Sequence, residues 1–147
     1  MACCPGGHFT ELRLATQDVD ESLFDIYWLT FKSEHLKSFL STRKYHFVIN
    51  VIPSRKWTWA VNALQSLWFL FIERPNCIIS TGSGMAYPTI FFGKLFFKCK
   101  VIYICSAADV TSSSRTPERA YRYCDLFCVQ WPEMMKVFPN AKYIGVL

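Results

Sequence analysis

The sequence predicts an α/β fold: a doubly wound, Rossmann-like parallel sheet. Strand-like apolar runs alternate with helical periodicities along the whole chain, the pattern of βαβ units. One run, Val101–Cys105, is apolar at every position, as in a strand covered on both faces. Two Gly-rich turns, Pro5-Gly6-Gly7-His8 and Thr81-Gly82-Ser83-Gly84, each lie between a strand and a helix, where the crevice sites of such sheets are built.

In chain order, Met1–Cys4 reads as the tail of a strand, either a stub or the remnant of a chain that starts late. A helix then runs to about Gln17 with Phe9, Leu12 and Ala15 or Thr16 on one face. Phe24–Thr30 is a strand. Glu34–Leu40 is a short helix with Ser33 at its N-cap. His46–Val51 is a strand closed by Pro53. Ser54–Ile72 is the longest helix. Trp57, Val61, Leu64, Trp68 and Ile72 form one apolar stripe on it, and Trp59, Ala63, Leu67 and Leu70 form another. Asn62, Ser66 and Glu73 leave a narrow polar strip, so the helix is expected to be covered on more than one side.

Cys77–Ser80 is a buried strand, followed by the second Gly-rich turn and a helix to about Lys98. Pro88 is tolerated there because first-turn N–H groups have no intrahelical partner. This helix carries Ile90, Phe91, Phe92 and Leu95–Phe97 around Lys94 and Lys98. It is either packed in the core with two solvated lysines, or laid in a membrane interface with the lysines at headgroup level. Ser106–Thr116 is a loop or lid, Pro117–Tyr123 a short basic helix and Asp125–Gln130 a strand. A last short helix opens at Trp131-Pro132-Glu133, and Lys142–Val146 is a terminal strand.

The 147 residues make one domain, 1–147. Hydrophobic residues are 52% and aromatics 17%, more apolar surface than a small core needs, so some of it should meet a membrane or a partner. The net charge of +5 suits an anionic partner such as lipid headgroups or sugar phosphates. With no Lys/Arg run or recognition motif, nucleic acid is not expected. Seven cysteines in odd number, with no CxxC pair, suggest neither a disulfide framework nor a zinc site. A reducing cytoplasm is their simplest setting. The longest apolar runs fall short of the roughly 20 residues of a spanning helix. No cofactor or metal is expected.

The Gly-rich turns carry the candidate chemistry. Backbone N–H groups around Gly6, Gly7, Thr81, Gly82, Ser83 and Gly84 would face the crevice and could hold phosphate oxygens. His8 could act as a base or hydrogen-bond a phosphate; otherwise it caps the following helix. Glu11 reads as a first-turn acid favoured by the helix dipole. Trp131 and Pro132 either pack at a strand end or meet a partner.

Five segments resemble one family in order and spacing: PGGHFTEL from Pro5, WAVNALQSLWFLFIERPN from Trp59, CIISTGSGMAYP from Cys77, DLFCVQWPEM from Asp125 and FPNAKYIGVL from Phe138. It is the oligosaccharide-biosynthesis family of the membrane-anchoring subunit of the two-chain dolichol-linked N-acetylglucosaminyltransferase. The bacterial relatives are capsular and exopolysaccharide β-1,4-glycosyltransferase enhancer subunits. The resemblance implies the N-terminal half of a GT-B glycosyltransferase, encoded as a separate chain. That half would bind a polyprenyl or dolichyl diphosphate sugar at the cytoplasmic face of the membrane, as a peripheral protein. It would recruit a separate sugar-nucleotide-binding subunit and be active only with it. Two departures stand out. Family members often carry an acid and a base after the fifth strand, in a pattern like Ile-Glu-Ser-x-x-Arg. Here Ile104-Cys105-Ser106-Ala107-Ala108-Asp109 has neither at those places. The eukaryotic N-terminal anchor and a full first strand are also absent, which favours a bacterial-type peripheral subunit or an incomplete start.

Two other readings compete. A structural membrane adaptor would recruit the partner without touching substrate. A stand-alone nucleotide-binding α/β enzyme would need a G-x-G-x-x-G after the first strand and a well-placed ribose acid, and neither is present.

Overall fold

A computed structural model describes residues 1–147. Strands β1 (Ala2–Cys3), β2 (Tyr27–Thr30), β3 (Lys44–Phe47), β4 (Cys77–Gly82), β5 (Lys100–Ile104), β6 (Leu126–Val129) and β7 (Lys142–Tyr143) form one sheet in the order 3-2-1-4-5-6-7. Every neighbouring pair is parallel. Five α-helices connect them, with short 3₁₀ turns: α1 (Gly7–Ala15), α2 (Lys37–Leu40), α3 (Lys56–Glu73), α4 (Tyr87–Phe96) and α5 (Arg115–Ala120). This is the predicted doubly wound class.

β1 has only two ladder residues, yet it sits at the pivot. The chain steps outward from β1 to β3, α3 carries it back, and β4 to β7 run out the other way. Strand order therefore reverses between β1 and β4, which places a crevice above their carboxyl ends.

Alternation along the strands sorts the core into two layers. Cys3 and Trp28 face α1 and the 34–40 segment, where Phe9, Leu12, Leu36 and Leu40 close the layer. On the other face Ile78, Val101, Tyr103, Phe127 and Val129 pack under Leu70 of α3 and Ile90 of α4. Beside them Ala2, Tyr27, Leu29, Met85 and Ala86 form a smaller cluster.

Three elements differ from expectation for identifiable reasons. The third strand is Lys44–Phe47, not His46–Val51. Past Val48 N–H, which reaches Thr30 C=O at 2.9 Å, the backbone leaves the sheet. Ile49 N–H then donates to Gln65 Oε1 and its carbonyl accepts from Asn62 Nδ2, both at 2.8 Å. Side chains of α3 thus satisfy the groups a strand would have paired. Ser33 does occupy the N-cap position, but its side chain makes no capping bond, and the segment opens as a 3₁₀ turn, Glu34–Leu36.

The largest difference is α3. Its polar strip faces inward: Thr58, Asn62 and Ser66 are buried along with Leu70. Thr89 Oγ1 donates to Ser66 Oγ (3.0 Å), and Ser66 Oγ donates to Asn62 Oδ1 (3.2 Å). Small polar side chains let α3 and α4 approach closely while keeping each buried group paired. The predicted cover on more than one side is absent within this chain, and Trp57, Leu64, Trp68, Phe71 and Ile72 are exposed.

In α4, Pro88, Thr89, Ile90 and Gly93 are buried. Lys94 is not a free lysine, because its Nζ lies 2.6 Å from Asp125 Oδ2. The same carboxylate accepts from Val101 N–H at 2.9 Å, so it ties α4 to the start of β5. These bonds, Lys94 first, hold the Asp125 carboxyl well below the usual range. No helix is long and apolar enough to cross a membrane.

Candidate functional site

The two Gly-rich turns meet over the β1/β4 junction. Cys3 pairs with Gly82 in the ladder. Thr81 Oγ1 donates to the His8 carbonyl oxygen at 2.6 Å, across 73 residues of sequence. The first turn is set by Gly6, whose φ of +93° suits glycine. Gly6 and Gly7 have open space where a side chain would stand. The first intrahelical bond of α1 runs from Thr10 N–H to Gly6 C=O, 3.1 Å. The N–H groups of Gly7, His8 and Phe9 therefore have no helical partner and define an anion-attracting end.

The second turn divides its labour. Thr81 is buried and its hydroxyl is committed to His8. Gly82 N–H donates to Ser80 Oγ at 3.1 Å, so it too is occupied. Of the four residues singled out here, Ser83 and Gly84 are left to present N–H groups at the start of the 3₁₀ turn that leads into α4. Ser83 has φ +75° and ψ 153°, a region that is essentially reserved for glycine. Its hydroxyl is buried beside the Cys4 thiol, without a partner in hydrogen-bond geometry.

His8 lies in the first turn of α1. Its side chain is 31% exposed, while Nδ1 is buried and lacks a hydrogen bond. Glu11, one turn on, sets its Oε2 3.6 Å from that nitrogen. Asp109, in the loop after β5, lies close enough for the imidazole to influence it. Burial pushes the Asp109 carboxyl up, against the Ser114 N–H and His8, which draw it down. Tyr103 reaches from β5 to beneath Gly82, and burial drives its hydroxyl well above the ordinary range.

The structure thus gathers Gly6, Gly7, His8, Ser83 and Gly84 around one crevice, with Thr81 and Gly82 as its internal frame. Trp131 and Pro132 are not among these residues, although Trp131 bonds the same Ala107 whose N–H binds Glu11. Trp131 Nε1 donates to Ala107 C=O at 2.7 Å, joining the loops after β5 and β6, and Pro132 is exposed. Sequence reasoning missed Asp109 and the reach of Glu11. Asp109 carried a usable signal, since it lies four residues past the apolar run Val101–Cys105, in the loop at the carboxyl end of β5. No group of three or more His, Cys, Asp or Glu is placed to hold a metal. The shallow groove of about 330 Å³ lined by Phe71, Arg74, Pro75, Asn76 and Phe97 lies at the opposite, amino end of the sheet.

The fold and the crevice define a class first. MurG of Acinetobacter baumannii superposes with a TM-score of 0.74 over 99% of this chain and 45% of its own, at 13% identity. The likeness is one of fold: the doubly wound α/β sheet of this chain matches somewhat under half of that protein. Sequence then gives the family. The profile of the oligosaccharide biosynthesis protein Alg14-like family matches residues 32–147, and the chain belongs to that family.

Its relatives include three proteins named UDP-N-acetylglucosamine transferase subunit ALG14. The Schizosaccharomyces pombe protein is 24% identical over 97% of this chain and 79% of its own length. The Kluyveromyces lactis protein is 33% identical over 50% of this chain and 33% of its own. The human protein is 30% identical over 56% of this chain and 42% of its own. The chain spans less than half the length of two of these three relatives.

Proposed function

We propose that this chain is the acceptor-binding subunit of a two-chain N-acetylglucosaminyltransferase of lipid-linked oligosaccharide biosynthesis. It would work at the cytoplasmic face of the membrane with a separate sugar-nucleotide-binding subunit. The relatives' names supply the sugar and the word subunit. Their fungal and mammalian sources favour a dolichyl diphosphate acceptor over a capsular or exopolysaccharide one. The observation that carries the reading is the Thr81–His8 bond, which locks two N–H-rich turns against each other across the strand-order reversal.

A lipid diphosphate sugar laid over this junction meets N–H donors from α1 and from the turn before α4. The exposed end of the His8 imidazole can accept the proton of the attacking sugar hydroxyl or hydrogen-bond a phosphate oxygen. The donor nucleotide would be bound by the separate sugar-nucleotide-binding subunit, not by residues 1–147. Transfer by the purified chain alone is therefore not expected.

The test is reconstitution of the chain with its catalytic subunit on vesicles carrying a polyprenyl diphosphate N-acetylglucosamine. Replacing His8 by Ala should cut transfer by about 10²-fold or more while the two chains still co-purify. Undiminished transfer would favour the adaptor reading, and turnover by the isolated chain would favour a stand-alone enzyme.

A further inference from the structure

We infer that Glu11 is the positioning residue of His8, fixing which imidazole nitrogen faces the crevice. The inference rests on the reading of His8 given above. The carboxylate is divided between two tasks. Its Oε1 accepts from Ser106 Oγ at 2.9 Å and from Ala107 N–H at 2.7 Å, across 95 and 96 residues of sequence. Those two bonds anchor it to the loop after β5, and its side chain is only 14% exposed.

Its Oε2 is buried, has no hydrogen-bond partner, and lies 3.6 Å from the buried, equally unpartnered Nδ1 of His8. A buried acceptor and a buried nitrogen, each lacking a partner and facing each other, are complementary only if the imidazole carries its proton on Nδ1. A small rotation of either side chain brings them into hydrogen-bond range. Nε2, at the exposed end of the ring, is then the nitrogen left to accept a proton from substrate, or to donate when the ring is charged.

Glu11 lies past the first turn of α1, which holds no acid, contrary to the reading of it as a first-turn acid; an acid that only met the helix dipole would in any case need no contact beyond its own helix. Glu11 instead spans from α1 to the loop carrying Asp109. That loop sets the carboxylate, and the carboxylate sets the imidazole. Asp109 is the other acidic group near enough to interact electrostatically with His8, and it accepts a hydrogen bond from the Ser114 N–H in its own loop.

The test is Glu11→Gln. The amide oxygen can keep both bonds to the 106–107 loop, so the fold survives, but the negative partner of Nδ1 is gone. Nitrogen-15 NMR of the purified chain should show His8 as the Nδ1–H tautomer in the parent and as a mixture or the Nε2–H form in the variant. With the catalytic subunit present, kcat should fall about tenfold or more with acceptor KM changed less. The double variant His8→Ala/Glu11→Gln should be no slower than His8→Ala alone, because a residue acting through another is non-additive with it.

An Nε2–H tautomer in the parent, identical ring spectra in the two proteins, or additive losses would overturn the inference. Should His8→Ala prove harmless, the function proposed for His8 fails, while the tautomer measurement still decides the role of Glu11. If Glu11→Gln does not fold, Ser106→Ala loosens the same carboxylate without removing it, and an unchanged tautomer there would equally overturn the inference.

Discussion

A methyl group on residue 82 would stand 2.5 Å from the Tyr103 hydroxyl oxygen. Tyr103 cannot swing away, because its ring stacks on Phe127 at 5.1 Å and is itself buried. Residue 82 also holds φ at +106°, where a side chain is strained whatever the space. Both penalties fall on Gly82→Ala, which should cost about 2–4 kcal/mol in a urea unfolding curve. Gly7 is the control. It is helical and open, so Gly7→Ala should change stability by no more than about 1 kcal/mol while intruding on the N–H groups of α1. Equal losses at the two positions would refute this division between a framing glycine and an access glycine.

At the scale of elements, α3 is the one whose periodicity was plain and whose orientation was not. A stripe of Trp and Leu normally marks the core side, and Asn and Ser the solvent side. Here the inward side must meet α4 closely and also receive the backbone of Ile49 and Ile52, which small hydrogen-bonding side chains do and large apolar ones cannot. Asn62→Ala should therefore destabilise by about 1–3 kcal/mol, since it strands the Ile49 carbonyl and the Ser66 hydroxyl. Leu64→Gln, on the opposite side, should stay within about 0.5 kcal/mol. Denaturation of the two variants reads the orientation directly, and a reversed order would turn the helix over.

The same contrast says what sequence could convey. Strand and helix alternation, the apolar β5 and both Gly-rich turns depend on local pattern, and all were legible. The orientation of α3, the early end of β3 and the bond from Glu11 to Ser106 depend on groups 13 to 95 residues apart. Local periodicity carries no record of such pairings. The crevice was legible as two turns, because each has its own glycine signature. Its inner frame of Thr81, Gly82 and Tyr103 was not, because it exists only once β1, β4 and β5 lie side by side.

For the whole molecule, the inverted α3 leaves an apolar surface on one side of the sheet. Leu64 is 69% exposed and Trp68 61%, with Trp57, Phe71 and Ile72 alongside. At about 1.5 Å per residue the helix is about 27 Å long. Its amino end reaches the crevice, where Trp59 packs beside Gly84. Exposed basic residues mark the two ends, Arg55 and Lys56 near the crevice and Arg74 at the far end. Apolar side chains between cationic ends are complementary to an anionic bilayer. A lipid whose headgroup occupies the crevice would then have its chains on the side where α3 faces. The expected outcome is flotation of the chain with vesicles of mixed zwitterionic and anionic lipid, accompanied by a blue shift of tryptophan fluorescence. Moderate salt should weaken this binding but not abolish it, because the apolar contribution is unscreened. Trp68→Glu combined with Leu64→Glu should lower vesicle affinity by at least about 10²-fold, as each buried side chain of this size contributes about 1.5–3 kcal/mol, and should leave thermal unfolding nearly unchanged. If the parent chain stays with the soluble fraction at every lipid composition, while the double variant loses its hold on the catalytic subunit, then α3 is a protein interface and the acceptor must enter from another side.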